Sequence, residues 1–314
     1  MIRPTVLVLA NLHDFSSDKV CLALAQAGVT YLRLNRDQLA ELRLRLDPIE
    51  PRLKVEFDGQ VWVVDETLQS VWFRQPTYLR NAEGRILTAA EQLYRSQWMA
   101  FIRALSVFTD ARWVNDPTAT FRAENKAWQL RVASLVGFDV PATLVSNDPT
   151  APVPATIGDP VALKALDTVL LREGETQTFA FTQIVSWKSC MDEDFQKIPS
   201  TLQMALHDKL DLRVTIVGEQ LWCVAIRHKE RGIEDDWRLH KKSEVSYETF
   251  VLPDETANRC FVLMRRMGLT MAGIDLALSD QRYWFIEINP TGEWGWLDSP
   301  ERPIANAIVS TLSC

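Results

Sequence analysis

The stretch AGIDLALSDQRYWFIEINPTGEWGWLD, Ala272–Asp298, decides how this chain is read. Residues 273–279 and 283–289 have strand composition on either side of Asp280-Gln281-Arg282, so a hairpin is predicted. If Ser279 pairs with Tyr283, Asp275 faces Glu287 across the ladder. The period of two then puts Asn289 on the Glu287 face, while Ile286 and Ile288 turn into the core. Oxygen ligands from Asp275, Glu287 and Asn289 therefore converge. Two acids opposed in a half-buried hairpin repel unless a cation lies between them. Hard oxygen donors with room for phosphate oxygens suit Mg2+, and a solvated hairpin face is the plainer alternative for the same residues.

Working upstream, Thr5–Ala10 is a continuous apolar run of strand length, residues 18–27 carry helical periodicity, Gly28 suits a helix stop, and Thr30–Leu34 reads as a second strand. This β-α-β opening predicts an α/β start with a parallel sheet covered by helices. It has neither G-x-G-x-x-G nor G-x-x-x-x-G-K-[ST], which excludes a Rossmann or P-loop nucleotide site. Strand-like runs follow at Gly59–Asp65 and Ser70–Arg74, and apolar residues from position 94 to 108 mark one face of a helix over Ala89–Phe108. Trp113–Pro117 reads as a strand ending in an Asn-Asp-Pro turn, where a domain boundary falls, and Thr120–Val136 reads as one helix closed by Gly137. The proline-rich stretch Ser146–Pro160 leads into short strands at 161–166, 178–185, 201–206, 212–217 and 220–227. Asp254–Met267 is predicted as a helix with Asp254 as N-cap and Gly268 as stop.

Composition narrows the function. The 314 residues carry 34 Lys+Arg against 41 Asp+Glu, a net charge of −7 with no basic block, which argues against non-specific nucleic-acid binding. Five cysteines without a Cys-x-x-Cys pair read as free thiols, and the four histidines form no zinc-type cluster. The run Thr5–Ala10 is too short for a signal sequence, and no stretch reaches the ~18 apolar residues of a membrane span. A soluble, cytoplasmic protein without membrane or nucleic-acid partners is expected.

An ordered set of motifs takes the reading further. Lys126 in ENKAWQL, Lys164 in VALKAL, Asp211 and Arg213 in LDLRV, Asp275 in GID and Glu287 with Asn289 in FIEINP together resemble the ATP-grasp ligases. More narrowly, VWFRQP (71–76), WVNDP (113–117), PATLVSNDP (141–149), DWR (236–238) and NPTGEWGWL (289–297) resemble the microviridin-type peptide ligases that make graspetides. That likeness covers nearly the whole chain. One departure from other ATP-grasp proteins is the missing Gly/Ser-rich loop after Lys164, where only Asp167–Glu173 and Gly174 stand.

The resemblance implies an ATP-grasp fold of mixed α/β (α+β) class. It divides into an N-terminal pre-ATP-grasp domain with a parallel sheet (1–116), a small central domain (117–206) and a C-terminal antiparallel-sheet domain (207–314) that carries the metal site. It implies ATP and Mg2+ as cofactors and a role for each residue. Lys126 and Lys164 would meet phosphate oxygens, as lysines do in many nucleotide sites. Gln203, Met204, Ala205 and Leu206 would form the hinge that reads adenine, with Asp211 at the ribose or as a structural partner. Arg213 and Arg238 would clamp γ-phosphate or carboxylate by bidentate bonds. Asp275, Glu287 and Asn289 would hold the metal.

The implied reaction joins a carboxylate to an amine or hydroxyl through an acyl phosphate, closing lactone or lactam rings in a ribosomally made precursor peptide. The partner would carry a leader and a core of acidic residues with hydroxyl or lysine nucleophiles. Homodimer formation is left open. Trp187, Asp192 and Asp194 in SWKSCMDEDFQKIP (186–199) are candidates for gripping the leader, against the plainer reading of a solvated acidic segment with core aromatics. Two other functions compete: a ligase adding a free amino acid to a peptide or small molecule, and a silent peptide-binding homologue.

Overall fold

The computed structural model describes residues 1–313 except 77–85, 168–169, 174–175, 180, 191 and 229–243. At the N terminus, β1 (Val6–Ala10) is buried at every position, which is why its sequence is a continuous apolar run rather than an alternating one. It lies between β2 (Tyr31–Asn35) and β6 (Ser70–Phe73), with β7 (Arg112–Val114) outside β6, all parallel. Helix α1 (Phe15–Gln26) begins earlier than its periodicity suggests, because Asp14 caps it by accepting from Ser17 N. A second, antiparallel sheet that the sequence reading only half found consists of β3 (Arg43–Asp47), β4 (Arg52–Phe57) and β5 (Gln60–Val64). Its alternation is clear in hindsight. Leu53, Val55 and Val64 join the buried cluster of β1, while Arg43 and Arg45 face solvent. Helix α2 (Ala89–Ala104) starts from a Thr88/Glu91 capping box.

The single helix expected over Thr120–Val136 is two: α3 (Pro117–Ala123) and α4 (Lys126–Leu135). The break has a local cause. Asn125 caps α4 by accepting from Trp128 N, a bond available only if the chain leaves helical geometry at Asn125. Lys126 thereby becomes the first residue of α4.

The central sheet orders β12 (Gln183–Val185), β9 (Val161–Lys164), β13 (Ser200–Met204) and β8 (Thr143–Ser146), all antiparallel. The strand expected over 178–185 is divided, since β10 (Leu170–Glu173) and β11 (Thr176–Phe179) pair separately as a hairpin. β13 also stops at Met204 rather than at 206. Short helices α5 (Trp187–Cys190) and α6 (Glu193–Lys197) precede β13.

The C-terminal sheet orders β16 (Val245–Thr249), β15 (Gln220–His228), β14 (Leu210–Val217), β17 (Met271–Ser279) and β18 (Arg282–Asn289), with every pair antiparallel. Leu212, Val214 and Ile216 alternate onto one buried face, against α7 (Asp254–Met267) and α4. Pro253 rather than Asp254 occupies the cap position of α7, and Gly268 ends the helix at φ 70° in the left-handed region, as expected. The last helix, α8 (Ile304–Leu312), returns to pack on α1 and β6. The mixture of a parallel sheet with antiparallel sheets is the expected α/β (α+β) class. No helix among the described residues is long and apolar enough to cross a membrane.

Candidate active site

The β17–β18 hairpin brings Asp275 opposite Glu287, but not by the register expected. Its turn has two residues, Asp280 and Gln281, both at positive φ (52° and 59°), and Ser279 pairs with Arg282 instead of Tyr283. A bulge then corrects the offset. Leu276 pairs with Phe285 and Asp275 with Glu287, which leaves Ile286 as the extra residue. Ile288 is fully buried as predicted, whereas Ile286 turns outward and lines a cleft. β18 is an edge strand, and its free edge is covered by side chain and backbone. The Gln129 amide on α4 donates to Ile288 O (2.8 Å) and accepts from Ile288 N (3.1 Å), and Asp139 O accepts from Phe285 N (2.8 Å).

Charges run in a row across three strands, Arg213 on β14, Asp275 on β17 and Glu287 on β18, each directly opposite the next. Arg213 Nη1 donates to both Asp275 oxygens at 2.9 Å. Lys126 Nζ lies 3.8 Å from Glu287 Oε2 at the other end. The row is therefore plus, minus, minus, plus. In the next row Gly273 faces Asn289, and a side chain on Gly273 would overlap the Arg213 guanidinium; one on Gly292 would approach it to 2.6 Å. Glycine at both positions lets the buried guanidinium lie flat over the backbone. Asn289 Nδ2 donates to Asp275 Oδ2 and Glu287 Oε1, both at 3.2 Å.

The donor set fits Mg2+. An amide nitrogen stands between two carboxylates, where a cation is favourable, and turning the Asn289 amide over presents a third hard oxygen.

Beside this row is an open cleft of about 330 Å3, lined by Lys126, Leu130, Val140, Lys164, Gln203 and Ile286 among others. Lys164 on β9 donates to Gln203 Oε1 (2.6 Å), and Gln203 Nε2 donates to Thr143 Oγ1 (2.8 Å). This chain fixes the lysine at the cleft and explains why the otherwise buried Gln203 is polar. Met204 N donates to Ala142 O (2.8 Å), and the half-buried Ala205 and Leu206 follow beyond the ladder, in the stretch expected to read adenine. Asp211 accepts from Lys209 at 2.6 Å. Arg238 lies outside the described residues.

The proposed leader segment has a more local logic. Asp192 caps α6, accepting from Asp194 N and Phe195 N at 3.0 Å, and Asp194 pairs with Lys197 at 2.6 Å. Phe195 is buried against Val161 and Leu202 and serves the core, while Trp187 packs on the same cluster only partly buried. In the same segment of chain, Ile184 and Ile198 remain 41% and 62% exposed.

Sequence reasoning quoted WFRQP and WVNDP without assigning their polar residues. Arg74 is 8% exposed, and all three of its nitrogens donate: to Asp14 Oδ2 (3.0 Å), to Thr291 O (2.9 Å) and to Glu293 Oε1 (3.1 Å). Asn115 donates to Met271 O (2.7 Å) and Pro290 O (2.9 Å) and accepts from Thr270 N and Met271 N. Both side chains join the N-terminal sheet to the loop that follows Asn289. A buried arginine and asparagine at strand ends were the available signal.

An open cleft with two lysines lies beside opposed acids on an antiparallel sheet, and the chain has the fold of the ATP-grasp ligases. A ligase from Chryseobacterium gregarium, described as RiPP-associated and solved with ADP and a leader and core peptide, superposes with a TM-score of 0.85 at 23% identity, covering 100% of this chain and 97% of that one. The macrocyclase MdnC of Microcystis aeruginosa, solved with the precursor peptide MdnA, gives a TM-score of 0.82 at 26% identity, with 99% of each chain covered. MdnB of the same organism, also a macrocyclase, gives 0.76 at 26% identity, over 98% of this chain and 99% of that one. The likeness to microviridin-type ligases read from the motifs thus extends to the whole architecture. No family model and no curated protein matches the chain.

Proposed function

We propose that this chain is an ATP-dependent ligase that closes lactone or lactam rings in a ribosomally made precursor peptide. The observation that carries the reading is the row of Arg213, Asp275, Glu287 and Lys126 beside the two-lysine cleft. In the reaction, an oxygen of the substrate carboxylate attacks the γ-phosphorus of ATP, and the bond to ADP breaks. An amine or hydroxyl then attacks the acyl carbon, the carbon–oxygen bond to phosphate breaks, and the nucleophile's proton leaves with phosphate. Lys126 and Lys164 bind phosphate oxygens as point charges, and the apolar wall of Leu130, Val140 and Ile286 takes the base. Ala205 and Leu206 present the hinge backbone, with Gln203 and Met204 anchoring it in the ladder and Asp211 steadied by Lys209. Arg213 fixes the Asp275 carboxylate, and Arg238 remains a candidate clamp for phosphate or carboxylate. Asp275, Glu287 and Asn289 would hold Mg2+, which would supply positive charge for the transferring phosphoryl group. The free amino acid and silent-homologue readings have no observation in their favour.

The peptide partner carries a leader, and Trp187, Asp192 and Asp194 with exposed Ile184 and Ile198 form the surface proposed to hold it. Gripping the leader away from the reacting atoms raises the effective concentration of the core. The test is to combine the chain, ATP and Mg2+ with short Thr/Ser/Lys- and Asp/Glu-containing peptides encoded beside its gene, followed by mass spectrometry. Loss of one water per bond, with ADP formed in step, is expected. ATP-independent modification, or addition of a free amino acid to the peptide, would overturn the proposal.

A further inference from the structure

A second cleft, about 340 Å3, opens at the carboxyl ends of β1, β2 and β6. From β1 the chain proceeds to β2 on one side and later to β6 on the other, so this is the point in the parallel sheet where connections diverge and where open α/β sheets bind ligands. Its lining includes Asp14, Asp37, Arg74 and Glu293. Glu293 belongs to the loop that follows Asn289, and its backbone oxygen accepts from Arg213 Nη2 at 3.4 Å. The cleft therefore shares a wall with the row of acids.

The balance of hydrogen bonding in the cleft is one-sided. Its two guanidiniums are engaged by the protein: Arg74 donates from all three nitrogens, to the Asp14 and Glu293 carboxylates and the Thr291 carbonyl, and Arg36 pairs with Asp37. Among the described residues of the lining, acceptors are in surplus. Asn11 lines the cleft, and its Oδ1 accepts no hydrogen bond from any described residue. Glu293 keeps a side chain 66% exposed, with lone pairs beyond those given to Arg74 and Ser16. Among the described residues of the lining, three carboxylates stand against two guanidiniums. A carboxylate ligand would find the guanidiniums engaged and three acids facing it, whereas an alkylammonium brings three donors and the missing charge.

We infer that this cleft is the subsite for the peptide's nucleophile and that it takes a lysine side chain, which makes the rings closed here lactams. This rests on the ligase reading and sharpens it. The bound ammonium gives one proton to a carboxylate of the cleft before attack, and the free amine then stands beside the loop 290–293, next to the place where the acyl phosphate forms; its second proton leaves with phosphate, and the acids around it disfavour a second substrate carboxylate. A threonine or serine hydroxyl would use the acceptors but leave the excess charge unmatched.

The test uses the full chain and three probes: the methylamides of Nα-acetyl-lysine, Nα-acetyl-norleucine and Nα-acetyl-glutamate. Binding is followed by the side-chain amide NMR signals of Asn11, and ATP affinity in Mg2+ is measured on the same sample. The lysine probe is expected to shift those signals with an affinity at least about 5-fold above norleucine, the scale of one close charge near a surface. His13→Lys, which adds a cation to the lining without touching the pins of Arg74, and Glu293→Gln should each weaken the lysine probe by about the same factor. Lysine binding no better than norleucine, a preference for glutamate, or unchanged affinity in His13→Lys overturns the subsite. If ATP still binds in that case, the ligase reading survives the loss; if ATP fails to bind too, both are rejected.

Discussion

The two clefts are nearly equal in size, about 330 and 340 Å3, and opposite in chemistry. The one between α4 and the central sheet has apolar walls and two lysines, so it offers donors and positive charge. The one above the N-terminal sheet has its arginines fixed to acids and leaves acceptors over. The β17–β18 hairpin, whose row of acids is held by Arg213 and Lys126, gives Ile286 to the first cleft, and the loop after it gives Thr291 and Glu293 to the second. The contrast teaches that the same ingredients, arginine beside carboxylate, give different sites depending on which partner is fully used. Volume says little about which ligand belongs where, and hydrogen-bond balance says more.

The largest effect that would break this contrast is expected at the acids. Glu287→Gln keeps shape and removes one charge from the row, so precursor-dependent ATP turnover should fall at least ~10²-fold while the circular dichroism spectrum stays native. Turnover at the wild-type rate would take Glu287 out of the site.

At the leader surface a smaller change is expected, and the structure dictates how to make it. Asp192 is the cap of α6, so Asp192→Lys would cost about 1 kcal/mol of local stability and confuse binding with folding. Asp194 is 82% exposed and serves only a surface pair with Lys197, among its described contacts. Asp194→Lys should therefore raise KM for full-length precursor by roughly 3–10-fold with kcat and ATP affinity unchanged, the pattern for lost remote binding. Unaltered KM would assign the segment to the fold alone.

The smallest expected effect sharpens the other side. Burial pushes the Asp14 carboxyl up, but the Arg74 guanidinium and the bonds from Ser17 outweigh it and hold the group below its ordinary value of 3.8. A lowered folded value means that the stabilisation is complete above the ordinary carboxylate value and is lost as pH falls through the folded one. Asp14→Asn, which can still cap α1, should lower Tm near neutral pH by roughly 2–4 °C, about 1 kcal/mol in a chain of this size. The gap should close below ~pH 4. A gap independent of pH would mean that the ion pair contributes nothing.

How much of this was legible depended on sequence separation. Asp275 and Glu287 are 12 positions apart in one hairpin, and period-two reasoning placed them face to face. It did so through two errors that cancel, since the turn is one residue shorter than read and the bulge at Ile286 restores the pairing. Bulges leave no mark in hydrophobic alternation, so Ile286 was assigned to the core when it lines the cleft. Lys164 looked functional because a cation sat in an apolar strand, but its partner Gln203, 39 positions away, could not be inferred from spacing. The N-terminal cleft was invisible, because Asn11, Arg74 and Glu293 meet only through tertiary packing.

The central claim is that the cleft with Lys126 and Lys164 binds ATP, and calorimetric titration tests it without any precursor. Lys164→Met is the informative variant. Because Lys164 is the donor to Gln203 Oε1, the variant leaves that buried oxygen without it, so stability should fall by roughly 1–3 kcal/mol and affinity must be read well below the new Tm. The wild-type chain is expected to bind one ATP in the presence of Mg2+, and Lys164→Met to bind it at least ~10-fold more weakly, the effect of removing one charge-assisted phosphate contact. A wild-type chain that binds no ATP, or a variant that binds it equally well, would contradict the account.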